Sequence, residues 1–137
     1  MRPNPRARKR TDPADIEASV RTAVHAALEH KAEDLKVLHL EPVTDFTDYF
    51  LVLHGTNPRQ VEAIADAIVE DLRAQGVRPL HVEGMAQSSW VLLDFGDFVI
   101  HVFQDDIRRF YALERLWGDA PDVTAQFTGQ PTAPSSE

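Results

Sequence analysis

A chain of 137 residues is long enough for one domain with a real core, and its lack of cysteine excludes disulfides and thiolate metal sites. No apolar run approaches the ~20 residues of a membrane span, and no hydrophobic segment of a secretory signal follows the charged N-terminus, so a reducing, cytoplasmic setting is expected. The net charge is −8, yet Arg2, Arg6, Arg8, Lys9 and Arg10 put +5 into the first ten residues and leave −13 for the remainder. A domain this acidic is repelled by phosphate backbones, which argues for a basic protein surface as partner and leaves the Arg-rich tip at most incidental contact with RNA.

Residues 1–11, which mix proline, asparagine and basic side chains, are expected to form a disordered tail. Asp12-Pro13 is a helix start, with the aspartate as N-cap and the proline at the first helical position. Ile16, Val20, Ala23, Val24, Ala27 and Leu28 then make one apolar stripe, ending near Ala32. Residues 35–40 read as a strand closed by Pro42, which cannot donate to a sheet ladder. Residues 49–53 are apolar throughout and read as an internal strand. In the next turn, Asn57 caps a helix, Pro58 fits its first position and Gln60 stands at the reciprocal capping-box place. Val61, Ile64, Ala65, Ile68 and Leu72 line that helix and Gly76 stops it. A strand over 79–83 comes next, so strand, helix and returning strand make a parallel crossover.

The stretch 88–104 predicts a β-hairpin. Two runs rich in β-branched and aromatic residues, 90–93 and 98–103, flank the turn Asp94-Phe95-Gly96-Asp97, where Gly96 can take a positive φ. Alternation puts Phe98, Ile100 and Val102 on one face and Val99, His101 and Phe103 on the other, as suits a central strand covered twice. The row Trp90, Leu92, Asp94 mixes a large aromatic with a carboxylate and is the candidate for function. Acidic Asp105 and Asp106 open a final helix, along which Ile107, Phe110, Leu113 and Trp117 share one side, Tyr111 and Leu116 widen the arc, and Gly118 makes the stop. From Asp122 onward the chain is polar, and 121–137 is expected to be a disordered tail, which bounds the domain at 12–120.

Catalytic constellations are wanting. Gly55-Thr56 ahead of a helix could hold a phosphate, but the turn lacks the glycines and lysine of a phosphate loop. Asp94-Phe95-Gly96 matches the magnesium-holding kinase tripeptide without any of its companions. Asp94 and Asp97 as a cation site would need further oxygen ligands, and His54, His81 and His101 lack metal-ligand spacing on one element, so no metal or cofactor is expected. What remains is Trp90, Tyr111 and Trp117 among carboxylates, and aromatics of that kind are enriched at interface hot spots.

Several collinear motifs carry a resemblance. Asp48-Tyr49-Phe50, Gly55-Thr56, Arg59-Gln60-Val61, Val82-Glu83-Gly84, the run from Trp90 through Asp97, Val99-Ile100-His101-Val102-Phe103 and the closing Arg109-Phe110-Tyr111-Ala112-Leu113-Glu114-Arg115-Leu116-Trp117 resemble the ribosomal silencing factor (RsfS, Iojap-like) family over roughly 12–120. Gln87-Ser88-Ser89 and Asn57-Pro58 depart from its pattern. The resemblance implies a single α/β domain with a mixed five-stranded sheet flanked by helices, nucleotidyltransferase-like without catalytic carboxylates. It implies a non-enzymatic repressor of translation that binds the fourteenth protein of the large ribosomal subunit and sterically blocks joining of the small subunit when nutrients are scarce. Carried onto this chain, the interface comprises Trp90 and Leu92 as apolar anchors, Asp94 and Asp97 as charge partners, and Tyr111, Glu114 and Trp117. The alternative is a nucleotide-binding transferase of that fold, and a third reading is self-association as a homodimer through the apolar final helix.

Overall fold

The computed structural model of the chain describes residues 12–128. Its elements, in chain order, are α1 (Pro13–Glu29), β1 (Glu33–His39), β2 (Tyr49–Gly55), α2 (Pro58–Ala74), β3 (His81–Glu83), β4 (Trp90–Asp94), β5 (Phe98–Gln104), α3 (Asp105–Tyr111), α4 (Leu113–Leu116) and α5 (Thr124–Phe127). The basic segment 1–11 and the segment 129–137 lie outside the described residues.

The helix starts obey their caps. Asp12 Oδ1 accepts from the Ala14 N–H at 2.9 Å, and Asn57 Oδ1 accepts from the Gln60 N–H at 2.9 Å. Gln60 does not complete a capping box on Asn57. Its Oε1 accepts from the Thr56 N–H at 2.8 Å, and its Nε2 donates to the carbonyls of His30 and Lys31 at 3.3 and 3.0 Å, which ties the start of α2 to the end of α1. Gly76 stops α2 at φ 81°, a left-handed conformation that favours glycine.

The five strands form one mixed sheet in the order β1-β2-β5-β4-β3. β5 runs parallel to β2 and antiparallel to β4, while β1 and β3 close the two edges in antiparallel pairings. The expected crossover is corrected in one respect. β3 runs in the same direction as β2, but β5 and β4 lie between them. The centre goes to β5 because it is apolar on both faces, and the edge to β3 because all three of its residues are exposed.

The faces of the sheet are covered unequally. α1 and α2 pack Val20, Val24, Ile64 and Ile68 against Leu51, Leu53, Val91, Leu93, Ile100 and Val102 in the larger core. On the opposite face a smaller cluster joins Leu38, Leu40, Phe50, Val99 and Ala120, with Leu92, Leu113 and Trp117 half-buried against it.

Two further expectations change. The single final helix is broken: Ala112 takes φ 46°, ψ 50°, ending α3 and starting α4. An alanine there is strained by roughly 1–2 kcal/mol, and the break places Phe110 on a different face from Leu113 and Trp117. The polar stretch from 121 also folds back as far as Thr128. His39 N–H donates to the Pro121 carbonyl, Val123 N–H to the Val37 carbonyl, and Val37 N–H to Thr124 Oγ1, at 2.9, 2.8 and 2.9 Å, so the segment lies along the β1 edge. Phe127, only 2% exposed, meets Tyr49 edge-on at 5.5 Å with the Arg21 guanidinium 5.2 Å from its ring centre. One aromatic anchor and backbone pairing hold a segment whose composition is otherwise that of a tail.

His101 lies at the middle of the smaller face. Its Nδ1 accepts from the Trp90 indole N–H at 3.1 Å, its Nε2 is buried with no hydrogen-bond partner among the described residues, and burial pushes its pKa down to about 4.

Two outcomes are expected. Phe127→Ala should cost about 3 kcal/mol in urea unfolding, the usual loss for a buried phenylalanine, whereas a chain with a dispensable tail would lose nothing. Because unfolded His101 binds a proton near pH 6.5 and folded His101 only near 4, stability should rise with pH across that window. His101→Asn, whose Oδ1 can still accept from Trp90, should abolish a pH-dependent term of about 3 kcal/mol between pH 4 and 7, read as the difference between the two unfolding curves.

Candidate functional site

β4 presents Val91 and Leu93 to the larger core and Trp90, Leu92 and Asp94 to the opposite face, as the alternation predicts. The start of that strand is set by Gly84. At φ 89° its Cα lies so close to the chain that an added Cβ would stand 2.0 Å from the Trp90 carbonyl oxygen, so no side chain fits there. The loop between them is pinned by Ser88, whose N–H donates to the Gly84 carbonyl and whose Oγ donates to the Met85 carbonyl, both at 2.8 Å.

Trp90 sits half-buried among rings. Phe103 lies 4.9 Å away and Tyr111 4.8 Å, with His101 at 6.0 Å holding its indole N–H. Tyr111 in turn meets Phe110 edge-on at 5.0 Å. In the other direction His101 meets Phe50 at 4.9 Å, Phe50 meets Trp117 at 5.6 Å, and Trp117 meets Phe46 at 5.8 Å. A continuous row of rings therefore crosses this face, buried in the middle and open at both ends, where Phe110 is 78% and Phe46 47% exposed.

The sequence-predicted residues take unequal places along it. Trp90 and Tyr111, the latter 49% exposed, form the open aromatic end. Leu92 and Trp117 are half-buried against the small cluster, so Trp117 belongs more to the packing than to the surface. Asp94 lies at the far end of β4, about 13 Å from Trp90 at the ~3.3 Å rise of a strand. Its Oδ1 accepts from the Gly96 N–H at 2.8 Å and shapes the turn. Asp97 comes next in that turn, its carbonyl accepting from the Asp48 N–H at 2.9 Å. The predicted site is thus a strip with an aromatic end and an acidic end, and its residues do not converge on a point.

Glu114 has a partner within the chain. Arg108, 4% exposed, donates from Nε and Nη2 to Glu114 Oε2 at 3.1 and 2.9 Å. Its Nη1 donates to His54 Nδ1 at 2.9 Å and to the Glu33 carbonyl at 3.4 Å, while His54 Nε2 lies 3.3 Å from Glu33 Oε1. The arginine thereby joins α3, α4, β1 and β2 at one point. Sequence reasoning missed three exposed apolar residues, Phe110, Phe46 and Leu116. A straight final helix would have put Phe110 inside, and Ala112 carries none of the glycine or asparagine signal that marks a left-handed break.

Other chemistry finds little purchase. The Thr56 N–H and hydroxyl both donate to Gln60 Oε1, so the turn that could face a phosphate is engaged by the chain's own amide. Among the described residues no group of three or more His, Asp or Glu side chains could hold a metal ion. Nor, among them, is any helix long and apolar enough to cross a membrane.

The comparisons with known proteins point one way. The family described as "Ribosomal silencing factor during starvation" matches residues 13–137. The chain is 44% identical over 101 residues to a ribosomal silencing factor of Halalkalibacterium halodurans, covering 74% of this chain and 86% of that protein. It is 42% identical over 108 residues to the Bacillus subtilis protein of the same name, covering 79% and 92%. A crystal structure of a Chromobacterium violaceum protein, 33% identical, superposes with a TM-score of 0.73 over 75% of this chain and 86% of that one. The family match over most of the chain, the relatives above 40% identity and the shared fold agree: the chain belongs to the ribosomal silencing factor family.

Proposed function

We propose that this protein binds the large ribosomal subunit through its fourteenth protein and sterically blocks joining of the small subunit, repressing translation when nutrients are limiting. The observation that carries the reading is the open aromatic end of the outer face, where the rings of Trp90 and Tyr111 meet at 4.8 Å, tilted by 46°. Rigid aromatic pairs at a surface are typical anchors for a protein partner. Leu92 extends the apolar strip along β4, and Asp94 and Asp97 supply a carboxylate end for cationic side chains of the partner. Glu114 and Trp117 act from behind, as support for the surface.

Charge supports the same partner class. With the basic tip set aside the chain carries −13, so approach to a basic ribosomal protein is favoured and sinking into ribosomal RNA is opposed. Nothing in this action turns over a substrate. Occupying the surface is enough, and the names of the relatives, ribosomal silencing factors, accord with a regulatory protein. The similarity to the Halalkalibacterium halodurans and Bacillus subtilis proteins favours bacterial subunits as the material for a test.

In gradient sedimentation with isolated large subunits the protein should travel with them, and adding it before small subunits should lower the yield of joined ribosomes. Tyr111→Ala should weaken binding by at least ~2 kcal/mol, as truncated hot spots do, with an unchanged melting curve because the ring is half exposed. Wild-type protein that stays at the top of the gradient would sink the proposal.

A further inference from the structure

The bend at Ala112 and the buried Arg108 sit on the same short stretch and have one visible consequence. Without the bend, Phe110, Leu113 and Trp117 would share a helix face and all pack inward. With it, Leu113 and Trp117 reach the small cluster while Phe110 stands 78% exposed beside Tyr111. The bend is made at an alanine in the left-handed region, an unfavourable conformation that persists only where surrounding contacts enforce it.

Those contacts come from Arg108. Its Nε and Nη2 hold Glu114 across the bend at 3.1 and 2.9 Å, while the Ala112 N–H closes the last turn of α3 on the Arg108 carbonyl at 2.8 Å, so the side chain of Arg108 spans the bend. Its third nitrogen reaches His54 and the Glu33 carbonyl, which anchors the bend to β1 and β2. Glu114 Oε1 is buried without a hydrogen-bond partner among the described residues, a cost that packing alone does not explain. Strained backbone, a half-buried ion pair and an exposed phenylalanine on one short stretch are a combination that stability by itself disfavours.

We propose that Arg108 and Glu114 are positioning residues, holding α3 and α4 bent so that Phe110 is kept out of the core as a contact for the basic protein partner, next to Tyr111. The proposal rests on the ribosome-binding reading and adds to it a contact residue, Phe110, and the pair that presents it. The partner group that suits two adjoining, mutually perpendicular rings is the aliphatic stem and cationic head of an arginine or lysine.

The test is a binding titration of the full chain on isolated large ribosomal subunits, with melting curves recorded in parallel. Phe110→Ala should weaken binding roughly tenfold or more, as loss of an interface aromatic does, and leave the melting temperature unchanged. Glu114→Ala should weaken binding by a similar factor at temperatures where it is fully folded, and Glu114→Gln, whose amide oxygen can still accept from Arg108, should restore most of the affinity. The double variant Phe110→Ala/Glu114→Ala should bind no worse than the weaker single variant, because both changes remove the same contact. If wild type binds and Phe110→Ala binds equally well, or if the two losses multiply, the inference is wrong while the ribosome-binding reading stands. If wild type itself fails to bind, that reading has failed first. Should Glu114→Ala not fold, Phe110→Ala and Glu114→Gln decide the matter alone.

Discussion

Everything in this fold answers to one constraint, the two apolar faces of β5. Phe98, Ile100 and Val102 point to one side and Val99, His101 and Phe103 to the other, and all six are buried. A strand of that kind must lie inside the sheet and must be covered twice. One cover comes from two helices of 17 residues each, α1 and α2, whose apolar stripes are continuous. The other must be made from the loop after β1 and from the chain beyond β5, where the helices α3 and α4 have only seven and four residues. The second cover is therefore incomplete, and the rings that finish it, Phe46, Phe110, Tyr111 and Trp117, are partly or largely in solvent. The surface proposed for binding is the unfinished edge of a core.

This arrangement explains why the row beginning at Trp90 could be picked out from residue order alone. Alternation along β4 separates Val91 and Leu93 from Trp90, Leu92 and Asp94 without any knowledge of the partner strands. The caps at Asp12 and Asn57, the turn at Gly96 and the stop at Gly76 are local chemistry and are equally legible. Such features depend on neighbours within a few residues, and the tertiary structure agrees with them.

The features that could not be read depend on distant partners. The position of β3 beyond β4 is decided by competition among strands for the place beside β2, and a residue pattern shows which strands are apolar without showing which pair. Ala112 bends where Arg108 meets Glu114, His54 and Glu33 at once, the last two from strands far away in sequence. Residues 121–128 are held in place because β1 offers them an open edge and Tyr49 offers Phe127 a ring. Composition rightly marks such a segment as unable to form its own core, and has no means of registering that another core will accept it.

The mixed character of the proposed surface bears on how an acidic protein could act at an RNA-rich particle. Carboxylates alone would give attraction to any basic patch, a long-range effect screened within about 8 Å at physiological ionic strength. The aromatic end adds what charge cannot, since exposed rings reward only a partner that brings a matching apolar or cationic shape into contact. Rings fixed from behind gain further, because little side-chain freedom remains to be lost on binding. Trp90 is fixed by its bond to His101, and His101 remains neutral at ordinary pH because burial holds its pKa down to about 4. A protonated imidazole would offer Trp90 a second donor where it needs an acceptor. The unfavourable burial of that histidine is thus part of what keeps the tryptophan in place, and stability is given up beneath the surface proposed for binding.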